Sequence, residues 1–172
     1  MANLIQELLH FFPPVEAPVT LAEDMAVAFS SHNRPLPQEL IDKVLLNWDT
    51  IDEFGELVPC FSLPENQEFY TLVYWKGALL SHEYIMVTVG KDGILISKKV
   101  IAGTISNGES VIRSVAVIDE DFNIFCTVGA QSQSSRHYNP SESNAFKFEI
   151  LPDGIITSTQ EEIDTWEERE EK

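Results

Sequence analysis

The sequence predicts an α+β fold, with N-terminal helices packed on a curved, mainly antiparallel meander sheet of about seven strands. Three observations lead there. Apolar residues recur at helical spacing through residues 1–50, they alternate from residue 68 onward, and hairpin-type turns separate the alternating runs. At 172 residues the chain is read as a single domain: a helical part (1–50), a connector (51–67), the sheet (68–158) and an acidic C-terminal helix or tail (159–172).

The first helix is expected where Leu4, Ile5, Leu8, Leu9, Phe11 and Phe12 fall on one face, before Pro13 and Pro14 stop it. Glu7 interrupts the apolar run and no basic residue precedes it, so the segment is not read as an export signal. Thr20 with Glu23 matches a capping box, which predicts a second helix from Leu21 burying Met25, Ala28 and Phe29. Asn33 before Arg34-Pro35 ends it, because a residue preceding proline resists helical dihedrals. A third helix over 38–48 aligns Leu40, Ile41, Val44, Leu45 and Trp48. The stretch 51–67 holds two prolines, a glycine and several acids, and reads as a connector.

The strands are short runs rich in β-branched and aromatic residues: FYTLVYW, YIMVTV, ILISKKVI, VIRSVAVI, FNIFCTV, AFKFEIL and IITS. In the sixth, Phe146, Phe148 and Ile150 face one way and Lys147 and Glu149 the other, as in a sheet with one wet side. FYTLVYW is apolar on both faces, which predicts a strand either covered twice or partly offered to a partner. Three hairpins, VTVGKDGILIS, VAVIDEDFNIF and FEILPDGIITS, form a weak internal repeat with Asp92-Gly93, Asp121 and Asp153-Gly154 at equivalent places. Thr159 with Glu162 offers another capping box, ahead of Ile163 and Trp166 in the acidic end.

Net charge is −17, from 28 acidic against 11 basic residues. That field opposes phosphate backbones and anionic lipid, so neither nucleic acid nor a membrane is an expected partner; it would attract a basic protein, or serve only to keep the chain in solution. No run reaches the length of a membrane span. Cys60 and Cys126 lie far apart without metal-ligand spacing and read as buried free thiols of a cytoplasmic protein.

The motifs offer little chemistry. GTISNGES has the glycine spacing of a phosphate-binding loop, but Glu109 stands where that loop needs lysine, and a strand follows instead of a helix. Asp119, Asp121 and Asn123 open like a calcium loop, yet Ile124 replaces the glycine of the sixth position and Ala130 the glutamate of the twelfth. His10, His32, His82 and His137 make no ligand pair, so no metal, no cofactor and no catalytic residue are assigned. The polar loop 129–144 carries Arg136, His137 and Tyr138, the candidate ligand-binding residues if it covers a sheet pocket. Tyr74, Trp75 and Trp166 are the candidate partner-binding aromatics. The expected function is a non-enzymatic interaction protein with an acidic surface. Its alternatives are a small-molecule-binding domain under the 129–144 loop and, third, a hydrolase using His137. Oligomeric state is left open.

Overall fold

The computed structural model describes residues 2–52, 55–132 and 144–161. In chain order they form α1 (Ala2–Leu9), β1 (Val19–Leu21), α2 (Met25–His32), α3 (Gln38–Lys43) and a 3-10 turn at Leu45–Asn47. Eight strands follow: β2 (Glu56–Leu63), β3 (Phe69–Gly77), β4 (Ser81–Gly90), β5 (Leu95–Ser106), β6 (Ser110–Ile118), β7 (Ile124–Ser132), β8 (Asn144–Ile150) and β9 (Ile156–Glu161). From β2 to β9 each strand pairs antiparallel with its chain neighbours, so the sheet is an up-and-down meander with β2 and β9 at its ends. It is open, and each of the seven runs read from residue 68 onward overlaps one of its strands.

The sheet is covered on both faces of its first half. On one face Tyr70, Leu72 and Tyr74 of β3 and Ile85, Val87 and Val89 of β4 pack with Ile5, Leu8 and Phe12, and with Leu40, Val44, Leu45 and Trp48. The apolar residues of the first and third segments pack here, but α1 stops at Leu9 and the third helix, expected over 38–48, ends at Lys43 and gives way to the 3-10 turn. On the other face Val73, Tyr84 and Met86 join Ala116, Ile118, Ile124, Cys126, Phe148 and Ile156 in a second core. That core holds because the meander rolls, bringing the later strands across the inner face of the earlier ones. β3 is apolar on both sides for this reason, and Phe146 and Ile150 pack against the same interior. Cys60 and Cys126 are buried there as free thiols.

β5 makes the roll possible. All along its length it pairs with β4, but only Gly103 to Ser106 pair with β6. Gly103 has φ 153° at the point of divergence, and a Cβ there would run into the His82 carbonyl oxygen of β4. Beyond that point the edge of β6 is taken by β1, with Thr20 opposite Val117 and Leu21 opposite Ala116.

That pairing corrects the second helix. Thr20 is a strand residue, not a helix cap, and α2 begins at Met25, with Ala26 buried and Met25 and Phe29 half-buried. An open edge on β6 outweighs a local capping preference of about 1 kcal/mol. The stretch 51–67 is likewise no mere connector, since Glu56–Leu63 is an edge strand whose register shifts between Pro59 and Phe61. Proline misled there: at an edge or a bulge its missing N–H costs no ladder bond. At the other end Thr159 pairs with Lys147 inside β9, and the expected helix or tail beyond Glu161 lies outside the described residues. With β1 and β2 added, the expected seven strands become nine.

Candidate functional site

Antiparallel meanders send alternate turns to opposite ends. The turns β2–β3, β4–β5, β6–β7 and β8–β9 therefore share one end, which collects Glu65, Glu68, Asp92, Asp119, Glu120, Asp121 and Asp153. Side-chain contacts tie these turns together. Lys91 Nζ lies 2.9 Å from Glu65 Oε2 and over the Tyr70 ring, while the Gly154 carbonyl accepts a bond from Thr88 Oγ1. Elsewhere Lys43 sits on Glu39, Lys76 and Lys98 on Asp49, and Lys147 within 3.6 Å of Glu149. Most described lysines are thus already engaged, and the acidic surplus of the composition is left facing solvent.

The repeat seen in the sequence is a repeat of turn geometry. In each copy the first residue's amide donates to the carbonyl four residues on, and its carbonyl accepts from the amide three residues on: Gly90 with Ile94 and Gly93, Asp119 with Asn123 and Phe122, Leu151 with Ile155 and Gly154. The fourth position must take positive φ. Gly93 does so at 90° and Gly154 at 94°; in the middle copy Phe122 does so at 64°. A β-carbon in this region costs about 1–2 kcal/mol. Phe122 is nonetheless 41% exposed, so core burial does not account for its presence.

Its ring borders two clefts. The larger, about 510 Å³, runs between the C-terminal end of α1 and the β2–β3 turn, lined among others by Leu9, Phe12, Val15, Leu63, Tyr70 and Phe122, with Glu65 at the rim. The smaller, about 300 Å³, lies between Phe122 and Lys147, Phe148 and Glu149 of β8. The larger hollow is mainly apolar and has one carboxylate, that of Glu65, in its lining; the free carboxylates of this end stand beside Phe122 on its own turn, at Glu120 and Asp121.

The Asp119 carboxylate closes its own turn. Its Oδ1 accepts from the Asp121 and Asn123 amides and its Oδ2 from the Asn123 side chain, and these bonds hold its carboxyl below the usual range. In GTISNGES the Asn107 side chain accepts from the Glu109 and Ser110 amides, closing a tight turn.

Of the aromatic residues expected as partner contacts, Tyr74 lies inside the core. It is fully buried, and its hydroxyl donates to Asp49 Oδ2 at 2.9 Å. Burial, then the neighbouring carboxylate, pushes that phenol far up. Trp75 is half-buried and packs at a tilt against His82 with ring centroids 5.3 Å apart, at the opposite end from the acidic turns. Trp166, Arg136, His137 and Tyr138 lie outside the described residues. Both clefts lie by the end of the β7–β8 pair where Ile124 meets Phe148.

Phe122 escaped the sequence reading, although a signal was available. The middle repeat reads DEDFN where its siblings read GKDGI and LPDGI, so a bulky residue stands in a glycine position. Compared with family models, curated proteins and solved structures, the chain matches none.

Proposed function

We propose that this chain is a non-enzymatic interaction protein that engages a basic protein through its acidic turn end, with an apolar side chain of the partner entering the cleft beside Phe122. The observation that carries this reading is Phe122 itself. Two sibling turns use glycine, yet here an exposed aromatic ring is kept at positive φ, at the lip of an apolar cleft. Strain retained where it does not serve the core is a mark of function. The surrounding carboxylates supply long-range attraction to a cationic partner, and the cleft supplies a desolvated anchor.

A pull-down from lysate at about 0.05 M and about 1 M salt tests it, since screening shortens the electrostatic reach from more than 10 Å to about 3 Å. A basic protein retained at low salt, lost at high salt and lost with Phe122→Gly supports the reading. Retention that ignores salt or Phe122 defeats it. The cleft volume also favours a second reading, an apolar small molecule held beside Tyr70 and Phe122. A small bound mass in native mass spectrometry, with no protein in the eluate, would select it.

A further inference from the structure

The two ends of the sheet are treated differently. The outer edge of β2 is covered: Ser62 exchanges backbone bonds with Pro13 and Val15, and the Asn33 amide donates to the Pro59 and Cys60 carbonyls. Among the described residues no strand pairs with the outer edge of β9: it pairs with β8 alone, and Ser158, Thr159, Gln160 and Glu161 are exposed.

Which groups are free follows from the hairpin. The Leu151 amide donates to the Ile155 carbonyl, so the rungs to β8 run through Thr157, Thr159 and Glu161. Ile156, Ser158 and Gln160 then aim N–H and C=O away from β8. The Ile156 amide confirms the direction, donating to Ser97 Oγ of β5 at 3.1 Å. Beyond that single bond, β9 has among the described residues a row of strand-pairing groups without a partner strand.

We infer that β9 is a strand-addition site, and that its occupant is an extended segment of the basic partner, so this rests on the function proposed above. Unpaired groups at Ser158 and Gln160 call for a polypeptide backbone. Asp153, Glu149 and Glu161 line the hairpin, while Lys147 is already near Glu149. Across the seam Lys98 is held by Asp49, which leaves Lys99 as the exposed cation there. A second copy of the chain is a poor occupant, because each carries −17.

The test uses the full chain and an alternating lysine–valine octapeptide as the probe, with amide exchange read residue by residue at low salt. The expected result is slowed exchange at Ser158 and Gln160, and binding weakened at least about tenfold by N-methylating alternate peptide amides or by Ser158→Pro. Proline at 158 deletes an outward N–H and leaves the rungs to β8 intact; the exchange measurement on the unsubstituted chain needs no variant to fold. Peptide binding that leaves those amides unprotected, or that ignores both changes, overturns strand addition and leaves the acidic-end reading standing. No binding at low salt overturns both.

Discussion

The Tyr74 hydroxyl donates to Asp49 Oδ2 at 2.9 Å, and Lys76 Nζ meets Oδ1 of the same carboxylate at 2.7 Å. This buried group joins the segment after the 3-10 turn to β3, and Lys98 adds a bond to the Trp48 carbonyl from β5. Asp49→Asn removes the anion and leaves Lys76, whose side chain is only 18% exposed, without its partner. The expected loss is about 3 kcal/mol, read from urea unfolding. Lys76→Met in the same chain should recover part of it, because an apolar side chain needs no counter-charge.

The same carboxylate gives a pH dependence. Burial pushes Asp49 up, but bonds from Lys76, Tyr74 and the Thr50 amide outweigh it, so its pKa in the fold lies below the ordinary value. A group depressed in the folded state stabilises fully above its unfolded pKa of about 3.9, and that contribution fades as pH falls through the lower folded value. The gap in urea midpoint between the natural chain and Asp49→Asn should therefore be constant near neutrality and narrow below about pH 4. A gap that widens on acidification would contradict the assignment.

Phe122→Gly should raise stability, by about 1 kcal/mol, because it relieves the positive-φ penalty at a ring that is largely in solvent. Phe122→Ala keeps the Cβ and should show no gain. Thermal unfolding of the two variants separates backbone strain from lost packing. If both variants are destabilised alike, the ring is a core residue and its functional role falls.

Much of the fold was legible because side-chain period reports burial directly. Leu72 and Val73 could be sent to opposite faces from alternation alone, and Leu40, Val44 and Leu45 to one helix stripe. What escaped was set by distant partners. Thr20 looks like a cap until β6 offers its edge, and Pro59 reads as a break until the strand proves to be an edge with a bulge. The candidate site was legible only in outline. Three acidic turns could be counted, but that they meet at one end follows from strand order, and the cleft at Phe122 follows from the roll.

Gly103→Ala tests the roll. The added methyl would strike the His82 carbonyl and the Glu83 backbone, at the point where β5 leaves β6. Backbone cannot move aside as a flexible side chain can, so the expected cost is on the order of 3 kcal/mol. The damage should show in exchange as loss of protection at Arg113 and Ser114, which pair there, before β7 and β8 are affected.

Reversing charge at the acidic end should uncouple binding from stability. Glu120 and Asp121 are exposed, and Asp119 supplies the side-chain oxygens that close their turn. Glu120→Lys with Asp121→Lys should leave the unfolding midpoint within about 0.5 kcal/mol of the natural chain. Binding of the lysine–valine octapeptide should nonetheless weaken about tenfold near 0.05 M salt. Most of that change should appear in the association rate, because these carboxylates act at a distance more than by contact. The salt dependence should also become shallower, since fewer opposite charges remain to be screened. Stopped-flow association at two ionic strengths measures both. A change confined to dissociation would place the two residues in direct contact with the peptide, and an unchanged rate would remove the acidic end from recognition.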